Sequence, residues 1–203
     1  QSMTIKNCIF IYNMATSNKG TVRGGAIHTS STNFIYENTS FINNSIGTII
    51  STAQGGAIYS SGGRSSTCIN CQFYNNYIDS NSNKFSGDVS FNIQGGSFCL
   101  ESSTVDFIDC TFQNNSCFGN GSNWDFNLYG GAIYAINSKL KINNCYILNN
   151  RLFSYGEESG PPFIIEGGAI CIINTDFNMT GCEINDNSIL MESERESAIF
   201  MVN

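Results

Sequence analysis

The sequence is poor in charge. Only 12% of its 203 residues are Asp, Glu, Lys or Arg, against about a quarter in an ordinary globular domain. The net charge is −7, and the nine Lys and Arg are scattered without forming a patch. Nucleic acid, which needs clustered cations, is a poor partner for such a chain. Proline occurs twice and histidine once, as His28. A lone histidine with no acid or nucleophile near it in sequence reads as a surface residue. Leucine is scarce and no 3.6-residue apolar period runs through the chain, which argues against a helical or leucine-rich solenoid. No stretch is apolar for the roughly 18 residues that a membrane span needs, and no secretory leader is visible. The nine cysteines are too sparse for a disulfide-stapled miniprotein.

What the sequence does have is Asn, Ser, Ile, Phe, 20 Gly and a repeat. A Gly-Gly-Ala-Ile element starts at Gly24, Gly55, Gly95, Gly130 and Gly167, and a degenerate sixth copy begins at Glu196. The third copy reads Gly95-Gly96-Ser97-Phe98. A second element, Cys-x-Phe/Ile-x-x-Asn, follows. Its cysteine slot holds Cys8, Thr39, Cys71, Cys110, Cys145 and Cys182. Its apolar slot holds Phe10, Phe41, Phe73, Phe112, Ile147 and Ile184, and its last position Asn13, Asn44, Asn76, Asn115, Asn150 and Asn187. From the first Gly to the cysteine slot there are 15 residues in four repeats and 16 in one. Variation in repeat length therefore falls almost wholly between the Asn and the next Gly-Gly.

A fixed part of about 20 residues with period-2 alternation reads as one coil of short strands. In the fourth repeat Ile133 and Ala135 share a face, as do Leu140 and Ile142, then Cys145 and Ile147. The expected fold is all-β: a right-handed parallel β-helix of about six coils, each of three short strands, with variable loops on one edge. It forms a single solenoid over residues 1–203, with repeats starting near 24, 55, 95, 130, 167 and 196. Like residues then stack on like. Ile27, Ile58, Phe98, Ile133, Ile170 and Ile199 form one inward column, and the Phe/Ile slot forms another. The six Asn form a ladder that hydrogen-bonds from coil to coil. Gly-Gly permits positive φ or close backbone approach at a corner.

Gly-Gly-Ala-Ile combined with Phe-x-x-Asn resembles the repeat of the chlamydial polymorphic outer membrane proteins. The resemblance runs through the whole chain. It implies a β-helical passenger of the kind found in surface adhesins, placed outside the cell or on its surface, and it implies no particular chemistry.

The two ends are in phase. Joining Asn203 to Gln1 aligns without a gap to Gly130 through Asn150, so residues 1–23 complete a coil begun by a preceding unit. Gln1, Ile5, Cys8, Ile199, Met201 and Asn203 are the expected head-to-tail interface. Two readings stand: a unit that stacks end to end into a filament or fibre, with other copies of itself as partners, or a stretch of a longer chain flanked by further coils. Cysteines stacked in Cys8, Cys71, Cys110, Cys145 and Cys182 lie within disulfide range, or form a column of buried free thiols. Cys68 and Cys71 make a lone Cys-x-x-Cys without a second pair, so neither a metal nor any cofactor is expected. Sequons at Asn38, Asn43, Asn114, Asn120 and Asn178 are glycan acceptors in a secreted eukaryotic protein, or ordinary turn asparagines. Loops over about 77–94, 116–129 and 151–166 carry Trp124, Phe126, Tyr129, Phe153 and Tyr155 near Asp125 and Glu157, with Pro161-Pro162. These aromatics either bind a glycan or host surface, as an adhesin would, or fold back over the coil.

Polysaccharide-active β-helical enzymes are the remaining alternative. They need converging carboxylates with a basic residue nearby. Asp106, Asp109, Asp176, Glu183 and Asp186 are dispersed and no Lys or Arg sits beside them in sequence. The expectation is a structural or adhesive protein, not an enzyme.

Overall fold

Each inner strand of the computed structural model pairs with its counterparts one repeat before and one repeat after, and the edge strands with one of the two, always in parallel. The structure describes residues 2–48, 52–81, 91–120, 126–155, 164–190 and 198–202. The chain winds as a parallel β-solenoid. Five turns close between Ser2–Lys6 and Asp176–Thr180, and a sixth coil stays open.

A coil has five strands where the sequence pattern suggests three. The fourth repeat shows them: Ile133–Ile136, Lys139–Asn143, Tyr146–Leu148, Arg151–Tyr155 and Ile164–Glu166. They belong to the first, second, third, fourth and fifth sheets respectively. Most of what the sequence offers as variable loops is therefore the fourth and fifth strands. Their alternation is short. Leu152 and Ser154 turn inward in one, and Ile165 alone in the other, too brief a pattern to stand out from a loop. Apart from one residue at another corner, the variable length falls in the connection between these two strands.

The cross-section has two lobes. The larger lies inside the first three sheets. It holds the columns Ile58-Phe98-Ile133-Ile170 and Phe41-Phe73-Phe112-Ile147, all buried. Phe10, Phe41, Phe73 and Phe112 stack ring on ring, with centroids 4.9, 5.1 and 4.5 Å apart and planes within 8° of parallel. Parallel in-register pairing imposes that spacing, because successive strands lie about 4.8 Å apart. Each stacked pair adds about 0.5–1.5 kcal/mol to plain area burial. The smaller lobe lies between the fourth and fifth sheets around Ile46, Ile78, Cys117, Leu152 and Ile93, Leu128, Ile165.

Gly-Gly makes the waist between the lobes. Gly130 takes φ 63°, in the left-handed region. The second glycine is needed for space: a methyl group on Gly131 would lie 2.1 Å from Gly168 O and 2.8 Å from Arg151 N, where the fourth strand begins. The one repeat with 16 residues before its cysteine slot shows where the extra residue goes. Ser61 pairs with Glu101 and Ser66 with Val105, so four residues, 62–65, face three, 102–104. It is a one-residue bulge at the corner between the first and second sheets.

Gly56→Ala is expected to destabilise the fold by about 3 kcal/mol, as overpacking against rigid backbone does. Its new methyl would meet Gly96 O at 2.0 Å and Tyr77 O at 2.8 Å. Gly20→Ala, with φ 86° and nothing within 4 Å, is expected to cost about 1 kcal/mol. Urea unfolding followed by circular dichroism measures both.

Candidate functional site: the polar corner columns

Three corners share one grammar. Each begins with a residue at positive φ and continues with a short polar side chain that hydrogen-bonds the corner backbone. Asparagine tolerates the left-handed region better than other residues with side chains. It fills most of these seats, as at Asn7, Asn38, Asn70 and Asn144 between the second and third sheets, with Asp109 and Gly181 completing that column.

Between the third and fourth sheets the second residue is the ladder asparagine. Asn44, Asn76, Asn115 and Asn150 are fully buried. Each donates twice to the next one. Asn76 N and Nδ2 both lie 3.0 Å from Asn115 Oδ1, and Asn115 N and Nδ2 both lie 2.9 Å from Asn150 Oδ1. The same Nδ2 also donates backward, Asn115 to Phe73 O at 2.9 Å and Asn150 to Phe112 O at 3.0 Å. One amide therefore ties three coils. The column starts at Asn13, whose Nδ2 donates to Asn44 Oδ1, and ends at Asn187, which donates to Ile147 O.

The cysteine slot works in the same way at the second corner. Cys110 N donates to Cys145 Sγ at 3.3 Å and Cys145 N to Cys182 Sγ at 3.4 Å. Each thiol donates to the carbonyl two residues back: Cys71 to Ile69, Cys110 to Ile108, Cys145 to Asn143 and Cys182 to Thr180. Thr39 does this with its hydroxyl, to Glu37 O, and accepts from Cys8 N. At the first corner Ser103, Ser138 and Thr175 follow the identical pattern. The slot thus selects a small side chain with one hydrogen to donate. The bridging that the column's spacing allows is not made: all nine cysteines are free thiols. Burial raises the pKa of Cys68, Cys99, Cys117 and Cys171, which keeps them neutral and inert.

The outer face of the first sheet carries a column the alternation pattern does not announce. His28, Tyr59, Cys99, Tyr134, Cys171 and Phe200 are in register. Tyr59, Cys99, Tyr134 and Cys171 are buried although they point away from both lobes. Arg23 lies 4.8 Å over the Tyr59 ring, His28 meets its edge, and the Tyr59 hydroxyl donates to Glu101 at 2.5 Å. Burial and that hydrogen bond push the Tyr59 pKa up to about 12. Burial and Arg23 lower that of exposed His28. The available signal is the residue after each Ile of the glycine element, apolar or aromatic where an outward strand position is ordinarily polar.

The other expected site residues are placed as follows. Asn38, Asn114 and Asn178 are exposed, and Asn43 and Asn120 half-buried. Asn43 and Asn114 sit at positive φ, each followed by a ladder asparagine and then by Ser45 or Ser116, the first residue of a fourth-sheet strand. The corner grammar itself generates those two sequons. Phe126, Tyr129, Phe153 and Tyr155 lie in strands, not loops, and the Tyr129 ring packs 5.4 Å from Tyr134. Trp124, Asp125, Glu157, Pro161, Pro162, Gln1 and Asn203 lie outside the described residues. Ile5 and Ile199 line the larger lobe, while Cys8 and Met201 are exposed.

The acids do have basic neighbours, which corrects the expectation drawn from their sequence surroundings. Lys139 pairs with Asp176 at 2.7 Å, Lys6 with Glu37, and Lys141 lies across from Asp106 in register. Coil stacking brings together residues about 31–37 positions apart. Asp109 and Asp186 occupy positive-φ corner seats, and Glu183 accepts from Asn185. Among the described residues no three His, Cys, Asp or Glu are grouped to hold a metal ion, and no helix is long and apolar enough to cross a membrane.

Two segments, residues 38–61 and 109–136, match the model of the Chlamydia polymorphic membrane protein repeat. Both begin at the positive-φ residue before the cysteine slot and end with the first-sheet strand, so they cover the same part of two coils. Together they span about a quarter of the chain. No curated protein and no solved structure matches. The chain is a β-solenoid that carries polymorphic-membrane-protein-type repeats, and fold and repeat together fit a structural or surface protein rather than an enzyme.

A thiol reagent applied to the native protein is expected to modify exposed Cys8 at once, half-buried Cys182 more slowly, and the rest only on unfolding. All nine are expected to react in urea. Fewer than nine in urea without reductant would mean that part of the column is bridged.

Proposed function

We propose that this chain is part of an extracellular, surface-borne β-solenoid rod, extended end to end by further coils of its own kind. The observation that carries this reading is the polarity of the columns. Asn13 donates forward into the ladder, while no described residue donates to its own Oδ1. The inward residues of the first coil, Met3, Ile5, Phe10 and Ile27, and of the last, Phe177, Met179, Ile184 and Ile199, are only partly buried. A further coil in the same register would bury them and continue the ladder and the Phe/Ile column. Such a coil would come from a second copy of the chain or from the same polypeptide. Bare solenoid edges otherwise invite pairing and are normally covered. The repeat match supports a surface location. N-linked glycans at the exposed Asn38, Asn114 and Asn178 are compatible with such a location.

Electron microscopy of the chain over a range of concentrations tests the stacking between copies. The expected result is filaments whose axial repeat is about 29 Å, six coils at about 4.8 Å each. Short single rods at every concentration would contradict stacking between copies and leave continuation within one polypeptide.

A further inference from the structure

The bulge at the first corner builds a site that the repeat elsewhere lacks. Beside it lies a surface cleft of about 330 Å³, lined among others by Gly63, Arg64, Ser102, Thr104, Asn137 and Lys139. That volume is at the lower end of those that hold a small ligand and suits a single sugar ring. The extra residue in this coil puts Arg64 on the rim. Asn33 Oδ1 accepts from Arg64 N at 2.8 Å and from Ser65 N at 3.2 Å. Thr104 N donates to Gly63 O at 2.7 Å, so the bulge is pinned from both sides.

Among the described residues, the side-chain polar groups free to act in this cleft are donors or hydroxyls. The Arg64 guanidinium has no partner among the described residues. Asn137 Oδ1 already accepts from Asn174 Nδ2 at 2.7 Å, and the Asn137 Nδ2 hydrogens have no acceptor among the described residues. The Ser102 and Thr104 hydroxyls are likewise uncommitted among the described residues. Lys139 stands on the far wall, held on its other side by Asp176. No carboxylate of the described residues lines the cleft, although the chain carries a net charge of −7. Two of the nine cations line this cleft, one of them, Lys139, already shared with Asp176 and the other, Arg64, without an ion pair among the described residues.

The geometry points to a binding site for the acidic group of a glycan, a carboxylate or a sulfate ester on a hydroxyl-bearing sugar ring. Arginine presents a fork that meets either oxyanion with two hydrogen bonds. Ser102, Thr104 and Asn137 suit sugar hydroxyls. Among the described residues the lining offers no apolar side chain, so an acyl chain or a hydrophobic peptide side chain would gain little there. The site does not depend on how the coils continue at either end, and the test below is made on the single chain.

Isothermal titration with three probes tests it: a heparin-derived tetrasaccharide, an oligogalacturonate and neutral maltotetraose. The expected result is binding of at least one acidic probe and no binding of maltotetraose. Binding of the first alone assigns sulfate, and binding of the second assigns carboxylate. Arg64→Ala and Lys139→Ala should each weaken binding about tenfold, the worth of one hydrogen bond to a charged group, with circular dichroism unchanged. Lys6→Ala removes an equally exposed, equally paired cation outside the cleft and should leave binding as it was. Asp176→Asn, which frees Lys139, should tighten it. Failure of both acidic probes to bind would overturn the assignment, as would equal loss in Lys6→Ala, which would reduce the effect to net charge.

Discussion

The structure depends on the hydrogen bond that a buried corner asparagine makes to the next coil. Parallel coils pair well along their strands, but at each tight corner the chain turns away from the sheet and its amides lose their regular partners. Buried polar groups left without partners cost about 1–3 kcal/mol each, and a solenoid repeats that cost at every turn. The ladder removes it by handing the amide of one coil to the side chain of the next, as Asn76 does with Asn115 Oδ1. Thiols and hydroxyls do the same at the other two corners. Because each polar group needs its counterpart directly above it, the columns also fix the register.

With register fixed, the apolar columns follow. Phe41, Phe73 and Phe112 stack face to face because nothing permits them to slip, and a strand slip by one residue would turn the whole column outward. The glycine pairs close the waist between the lobes, where neither a Cβ nor a wider backbone would fit. The same constraint frees the outer surface. Outward residues need only suit their neighbours one coil away, so each face can carry its own column: Tyr and Cys on the first sheet, Lys and Asp on the second. Function in such a scaffold resides in local departures from the repeat, of which the Arg64 bulge is one.

This explains what is legible in the sequence. The Gly-Gly element, the cysteine slot and the Phe/Ile and Asn columns recur because geometry demands the same residue type at each turn. The fourth and fifth strands look like loops in the sequence because each offers only one or two inward residues, such as Leu152 and Ile165, and because their connection varies in length. The Tyr59, Cys99, Tyr134 column escapes a sequence pattern because the outer face obeys no fixed alternation. The pairing of Lys139 with Asp176, 37 positions apart, becomes visible only once the coil-to-coil register is known. The sole trace of the cleft in the sequence is one spacing of 16 where four others are 15.

The most direct test of the ladder's role is equilibrium unfolding of Asn115→Ala in urea. That change removes the acceptor for Asn76 N and Nδ2 and the Nδ2 donor to Phe73 O and Asn150 Oδ1, with the site buried beyond the reach of water. The account predicts a loss of about 3 kcal/mol or more, several orphaned groups at about 1–3 kcal/mol each. A loss within about 0.5 kcal/mol, as for an ordinary surface substitution, would contradict it and leave the apolar columns as the only source of register.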